Sequence, residues 1–277
     1  MFKEILKLTQ KELKVFCAVE LRKYYKSVQN RKKFIYCKGE LPVLMVAHLD
    51  TVHKQTPRDI FHDTEQNVMW SPQGIGGDDR CGIFSILTLL ERGLRPHVLF
   101  TCDEEIGGIG ASAFAESKIP LTDVKYLIEL DRRGEKDMVF YDCGNEDFIK
   151  YVEQFGFEED YGSYSDIATI SPVYDLASVN LSIGYYNEHR TEEYIKVDHM
   201  MATIDKVEEM LKDSVNLKEP FDFQETVWAY SGSWGKTSTT TKTYTPTTKW
   251  WEAYGYATED EFWEEEYGYE TKGLEHF

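Results

Sequence analysis

Val43-Leu44-Met45-Val46-Ala47-His48-Leu49-Asp50 is a run of five apolar residues that ends in an imidazole and, two residues later, a carboxylate. An unbroken run of this length predicts a strand covered on both faces, as in a parallel sheet, and is too short for a core helix. His48 then falls at the carboxyl edge of the strands, where open α/β sheets place their active sites. The same event recurs down the chain. Val98-Leu99-Phe100-Thr101-Cys102 leads into Asp103-Glu104-Glu105, and Tyr126-Leu127-Ile128-Glu129-Leu130 into Asp131. Val179-Asn180-Leu181-Ser182-Ile183 leads through a short loop to His189. One acidic strand end is commonplace; four that supply two His and several carboxylates point to one shared metal site.

Length and composition bound the rest. A chain of 277 residues, 42% hydrophobic, can bury a full core, and the reading is a catalytic domain over residues 1 to 216 with an appendage over 217 to 277. The appendage contains Ser231-Gly232-Ser233, a Thr-rich run from Thr237 to Thr248, and an acidic stretch with Trp and Tyr, and five of the six Trp lie after Asn216. With almost no aliphatic residues it cannot build an independent core, so it reads as a low-complexity, disordered tail whose partner the sequence does not name. The net charge of -18 divides into -11 up to Asn216 and -7 beyond it, which suits neither part for nucleic acid. Five Cys at wide spacings, without a CxxC pair, read as reduced thiols of a cytoplasmic protein. No apolar run approaches the ~20 residues of a membrane helix, and no export signal is visible.

Around these strands the local signals are ordinary. Phe2 to Leu8 reads as a short helix, and Thr9-Gln10-Lys11-Glu12 as a capping box for a second one running to about Tyr25. Lys32 to Cys37 reads as an edge strand, Phe61 to Trp70 as a hairpin, Met138 to Cys143 as a strand and Asn145 to Phe155 as a helix. Met200, Ile204, Val207 and Leu211 mark a closing amphipathic helix. In Gly76-Gly77-Asp78-Asp79-Arg80-Cys81-Gly82 an acid pair lies at a helix start. The pair serves there either as caps favoured by the helix dipole or as metal ligands. Glu104 and Glu105 are either a solvated acidic loop or a base beside a ligand. Ser165 reads as a helix cap, and His53, His62, His97, His199 and His276 as surface or packing residues.

Taken together, His48-Leu49-Asp50, Gly77-Asp78-Asp79-Arg80-Cys81-Gly82, Asp103-Glu104-Glu105-Ile106-Gly107, Asp131 and His189-Arg190-Thr191-Glu192-Glu193-Tyr194-Ile195 resemble the co-catalytic zinc exopeptidase superfamily. That group includes tripeptide aminopeptidase, secreted bacterial leucyl aminopeptidases and acylamino-acid deacylases. The resemblance covers about residues 1 to 215. It implies an α/β fold with a mixed, mostly parallel central sheet flanked by helices. It also implies one metal held by His48, Asp78 and Asp131 and a second by Asp78, Glu105 and His189, with Asp78 bridging. Asp50 would hold the far nitrogen of His48, Glu104 would be the general base, and the Asp78-Asp79 peptide would be cis. Zinc is the implied metal, two ions per chain, with cobalt or manganese as alternatives. Only 30 residues separate His48 from Asp78 and 58 separate Asp131 from His189, so neither the β domain nor the lid that some relatives insert is present.

Function reads from this as peptide-bond hydrolysis, with an aminopeptidase on short peptides in front. Amidohydrolysis of an acyl-amino-acid or carboxypeptidase action on the same metals stands as the alternative, and a catalytically silent binding domain is the reading from another class. Asp79, Asp103 and Asp166 are the candidate partners of a substrate amine. Arg132, Arg133 and Arg190 are the candidates for a substrate carboxylate.

Overall fold

The computed structural model describes residues 1–143 and 145–225. The tail expected to be disordered lies, from residue 226 onward, outside the described residues, as does His276.

In chain order, α1 (Phe2–Ile5) and α2 (Gln10–Leu21) precede β1 (Gln29–Asn30), β2 (Phe34–Cys37) and β3 (Leu41–His48). The hairpin strands β4 (Phe61–Asp63) and β5 (Val68–Trp70) follow, then α3 (Gly77–Glu91), β6 (Pro96–Thr101), α4 (Ile109–Ser117) and β7 (Tyr126–Arg132). Next come β8 (Asp137–Val139), α5 (Glu146–Glu153), β9 (Glu158–Glu159), α6 (Asp166–Tyr174) and β10 (Ser178–Ser182). The last elements are β11 (Tyr185–Tyr186), β12 (Tyr194–Lys196) and α7 (Val197–Asp213), which runs into a 3-10 turn at Ser214–Asn216.

Eight strands form the main sheet in the order β1-β2-β6-β3-β7-β10-β8-β9. The central ladders β6-β3-β7-β10 are parallel, while β2 and β8 join their neighbours antiparallel. The fold is therefore the mixed, mostly parallel α/β sheet expected. β2 is not the edge strand its sequence suggested, because β1 pairs outside it. The predicted hairpin forms and joins β11 and β12 in a second, four-stranded antiparallel sheet.

Alternation along β3 explains its unbroken apolar run. Met45 and Ala47 face a core with α3 and α7 residues such as Ile86, Leu90, Ile204 and Val207. Leu44 and Val46 face a second core with Phe114 of α4 and Ile167 and Ile170 of α6. Both faces are covered, as a parallel sheet requires. His48, in step with Leu44 and Val46, lies on the α4/α6 side at the strand's end. It stands opposite Thr101 of β6.

At the amino end, Thr9 and Glu12 form the capping box of α2. At the far end the packing continues beyond Asn216. Phe221 lies against Tyr126, Phe148 and Tyr151. Its carbonyl accepts the Ala177 amide at 2.7 Å and its own amide reaches the Lys125 carbonyl at 2.9 Å. Residues up to Glu225, which bridges to Cys143, belong with the domain by contact even though composition grouped them with the tail. All five Cys are buried and unpaired.

Candidate metal centre

Five chain segments deliver the site. His48 ends β3, Glu104 and Glu105 follow β6, Asp131 lies near the end of β7, and Asp78 opens α3 across a cis Asp78-Asp79 peptide. His189 comes from the loop after β11, with a backbone φ of 63°. Gly76 at the α3 amino cap is also left-handed, which lets the chain turn sharply into Asp78.

The side chains converge closely. His48 Nε2 lies 3.0 Å from Asp78 Oδ1 and 3.4 Å from Asp131 Oδ1. His189 Nε2 lies 3.2 Å from Asp78 Oδ2 and 3.1 Å from Glu105 Oε2. Asp78 thus turns one oxygen to each imidazole. Ligand atoms around a tetrahedral zinc with ~2.0–2.1 Å bonds would be about 3.3 Å apart, so these separations suit shared cations. Glu105 Oε1 is buried without a hydrogen-bond partner, and ligand atoms of His48, Asp78 and Glu105 all lie within 4.8 Å of one another. Carboxylates from Asp78, Glu105 and Asp131 outnumber the two imidazoles, and buried charge of one sign calls for a compensating cation. On these grounds the donor set fits divalent metal.

Electrostatics report the same crowding. Burial, with Asp78 next in effect, raises the Asp131 carboxyl to about 7. Burial also raises Glu105 and pushes Glu104 well above the usual carboxylate range. Hydrogen bonds to Asp78 and Glu105 lift His189 to about 11. For His48, burial favours the neutral ring, but the surrounding Asp131, Asp50 and Asp78 outweigh it and raise its pKa. Asp78 moves down, its burial more than offset by the two imidazoles.

Asp50 does more than face His48. Its Oδ1 is 3.3 Å from His48 Nδ1, a contact too poorly aligned to count as a hydrogen bond. Its two oxygens also accept the amides of Glu104 and Glu105, each at 3.0 Å, so one carboxylate faces the imidazole and pins the loop of both glutamates. Its own carbonyl accepts Arg80 Nη1 at 2.5 Å.

The remaining supports come from residues that sequence reasoning gave no role. Glu193 is buried and accepts the amides of Gly76 at 2.8 Å and Asp78 at 2.9 Å, with His53 Nε2 at 3.0 Å. Asn180 brackets Asp131, accepting its amide at 2.8 Å and donating to its carbonyl at 2.7 Å. The β7-β10 register is irregular between Asn180 and Ser182, so the side-chain amide stands in for a ladder bond. Tyr185 donates its hydroxyl to Asp131 Oδ1 at 3.0 Å. Ser165 occupies the N-cap position of α6 as expected, but its hydroxyl, instead of accepting a helix amide, donates to the buried Glu129 carboxylate. Glu193 was present in the His189 motif, and its spacing was the one available signal; Asn180 and Tyr185 carried none.

A cavity of about 120 Å³ opens beside Asp78, Glu104, Asp131 and His189. Tyr141, Tyr164 and Tyr185 line it together with Arg132, Arg133 and Glu188. The three acids expected to meet a substrate amine are engaged elsewhere. Asp79 Oδ2 and Oδ1 accept the amides of His48 and Gly82, each at 3.0 Å. Asp103 binds Gln10 and Lys33, and Asp166 binds Thr101. Of the three arginines, Arg132 and Arg133 reach the cavity lining and Arg190 does not.

No family model matches the chain, and no curated protein matches it in sequence. Solved structures do match in fold. The aminopeptidase PepT from Bacillus cereus ATCC 10987 is 14% identical, with a TM-score of 0.61 over 77% of this chain and 97% of that one. A tripeptidase from Staphylococcus aureus subsp. aureus Mu50 is 13% identical, with a TM-score of 0.64 over 78% and 97%. A glutaminyl cyclase from Porphyromonas gingivalis is 12% identical, with a TM-score of 0.56 over 76% and 94%. The chain has the fold of these three proteins. One fold thus carries proteins named for different reactions, so the reaction must be argued from the site. Among the described residues no helix is long and apolar enough to cross a membrane.

Proposed function

We propose that this protein is a two-metal exopeptidase that removes the amino-terminal residue of short peptides. The observation that carries the reading is Asp78, whose two oxygens face His48 and His189 while Asp131 and Glu105 complete a donor set on either side. One metal would be held by His48, Asp78 and Asp131 and the other by Asp78, Glu105 and His189. Zinc suits this set of neutral imidazoles and carboxylates, with cobalt or manganese as substitutes. When bound, such a pair lowers the pKa of water and polarises the scissile carbonyl.

The chain's own residues do the rest. Glu104 lines the cavity and its carboxylate takes the proton of the attacking water, then returns it to the leaving amine. Asp50 keeps Glu104 and Glu105 at their posts through their amides and holds the His48 ring in place. Tyr185 holds Asp131, and Glu193 holds the turn that presents Asp78. Apart from the base Glu104, Glu188 is the carboxylate of the lining that lies outside the ligand set, and it is the candidate partner of a substrate ammonium.

Glu104→Gln should retain both metals and lower turnover at least ~10²-fold, the lower end for a general base. Loss of metal in that variant would mean that Glu104 and Glu105 have exchanged roles. Free and N-acetylated forms of one short peptide test the polarity: efficient cleavage of the acetylated form would make the enzyme an acyl-amino-acid hydrolase or carboxypeptidase on the same metals.

A further inference from the structure

The cavity lining contains two positive charges that hydrolysis itself does not use. Arg132 is tied down: its Nη2 ion-pairs with Asp160, and its buried Nε, 3.9 Å from Asp137, has no hydrogen-bond acceptor. Arg133 is different. Its backbone is fixed, because Ser182 Oγ donates to its carbonyl at 2.7 Å and the next amide, Gly134, reaches the Tyr185 carbonyl at 3.0 Å. Its guanidinium is 53% exposed and makes one ion pair, to Glu188 at 2.5 Å, with Glu188 itself 23% exposed. Solvent-exposed pairs of this kind contribute little, so exchanging Glu188 for another carboxylate costs little. A guanidinium offers two parallel donors that match a carboxylate, which favours such an exchange. Arg133 also borders a second cavity of about 460 Å³ with Lys136 and Tyr186, so a ligand gripped there has room to continue.

We propose that Arg133, with Arg132 as a fixed charge beside it, binds a carboxylate of the substrate in place of Glu188. The released Glu188 is then free for the substrate ammonium, so the rim pair is the complement of a short zwitterionic peptide. The carboxylate has two possible sources, the terminal carboxylate of a very short peptide or an acidic side chain next to the scissile bond. The proposal rests on the peptidase reading for where the reacting bond lies, but binding can be measured without turnover.

The test uses the full chain carrying Glu104→Gln, loaded with zinc, and calorimetric binding of Ala-Ala, Ala-Ala-amide, Glu-Ala-amide and Gln-Ala-amide. At least a tenfold preference for Ala-Ala over its amide identifies the terminal carboxylate as the ligand. The same preference for Glu-Ala-amide over Gln-Ala-amide identifies the side chain. In either case adding Arg133→Met should cut the preference below threefold, which separates the arginine from attraction by the metals. Glu188→Gln removes the internal competitor and should widen the preference within the pair several-fold, because loss of the ammonium contact weakens both members alike, a readout that stands even if the Arg133 variant folds poorly. Equal affinities within both pairs, or a preference that survives Arg133→Met with no change on Glu188→Gln, overturn the proposal. Selective binding without hydrolysis by the zinc-loaded wild-type chain would refute the peptidase reading and leave this one standing.

Discussion

Phe221→Ala tests whether the domain continues past the closing helix. The ring is half-buried against Tyr126, Phe148 and Tyr151, with centroids 6.2, 5.0 and 5.3 Å away. The backbone bonds from Ala177 and to Lys125 survive the substitution, so the change removes packing alone. A fully buried Phe→Ala costs ~3–5 kcal/mol, and half burial brings this to about 1.5–3 kcal/mol. In a domain of this size each kcal/mol moves the midpoint by roughly 2–4 °C, so thermal unfolding should shift down by about 3–12 °C. A chain ended after Glu225 keeps all of these contacts and should melt with the full-length protein. If Phe221→Ala melts within ~1 °C of wild type, the segment after Asn216 lies on the domain without stabilising it, and the boundary belongs at Asn216 after all.

Chelation should abolish hydrolysis and lower the melting midpoint, with zinc restoring both, because ligand binding to the folded state stabilises it by mass action; full activity after exhaustive chelation refutes the metal reading. Glu193→Gln should weaken metal binding ~10–100-fold in a competition titration, the usual cost of removing a group that positions a ligand. Unchanged affinity would show that the Gly76 and Asp78 amides need no anion. His97 is buried, with Nδ1 2.9 Å from the Tyr36 hydroxyl, and burial lowers its pKa to about 4. Its folded pKa lies below the unfolded value, so its contribution to stability is complete above pH ~6.5. It fades by up to about 3 kcal/mol as the pH falls towards 4. His97→Asn should flatten the stability profile across that window, and an unchanged slope would assign the acid sensitivity to other groups.

Much of the fold and the seven candidate site residues were legible because each signal is local. A five-residue apolar run ending in His48, a glycine-flanked acid pair before a helical pattern, and acids directly after β6 and within β7 each announce themselves within about ten residues. What escaped depends on contacts distant in sequence. Glu193 meets Gly76 and Asp78 across more than a hundred residues, and Asn180 meets Asp131 across 49. A buried Asn or Glu looks, in sequence, like any polar residue after a strand. Asp79, Asp103 and Asp166 show the converse error: acid near a site was counted as available, whereas backbone amides, Gln10, Lys33 and Thr101 already occupy them. The contacts of Phe221 escaped for a related reason, since Phe221 shares the aromatic composition of residues 226 to 277 while its partners lie on β7 and α5.

The clasp of Glu193 on the turn before Asp78 sets an order of assembly during synthesis. His48, Asp78, Glu105 and Asp131 all leave the ribosome before Glu193 does, and until then the Gly76 and Asp78 amides have no carboxylate to hold them. His189 emerges in the same late segment. A nascent chain therefore presents only scattered donors for most of its length, and the residues proposed as metal ligands can come together only once the last third has closed over the first.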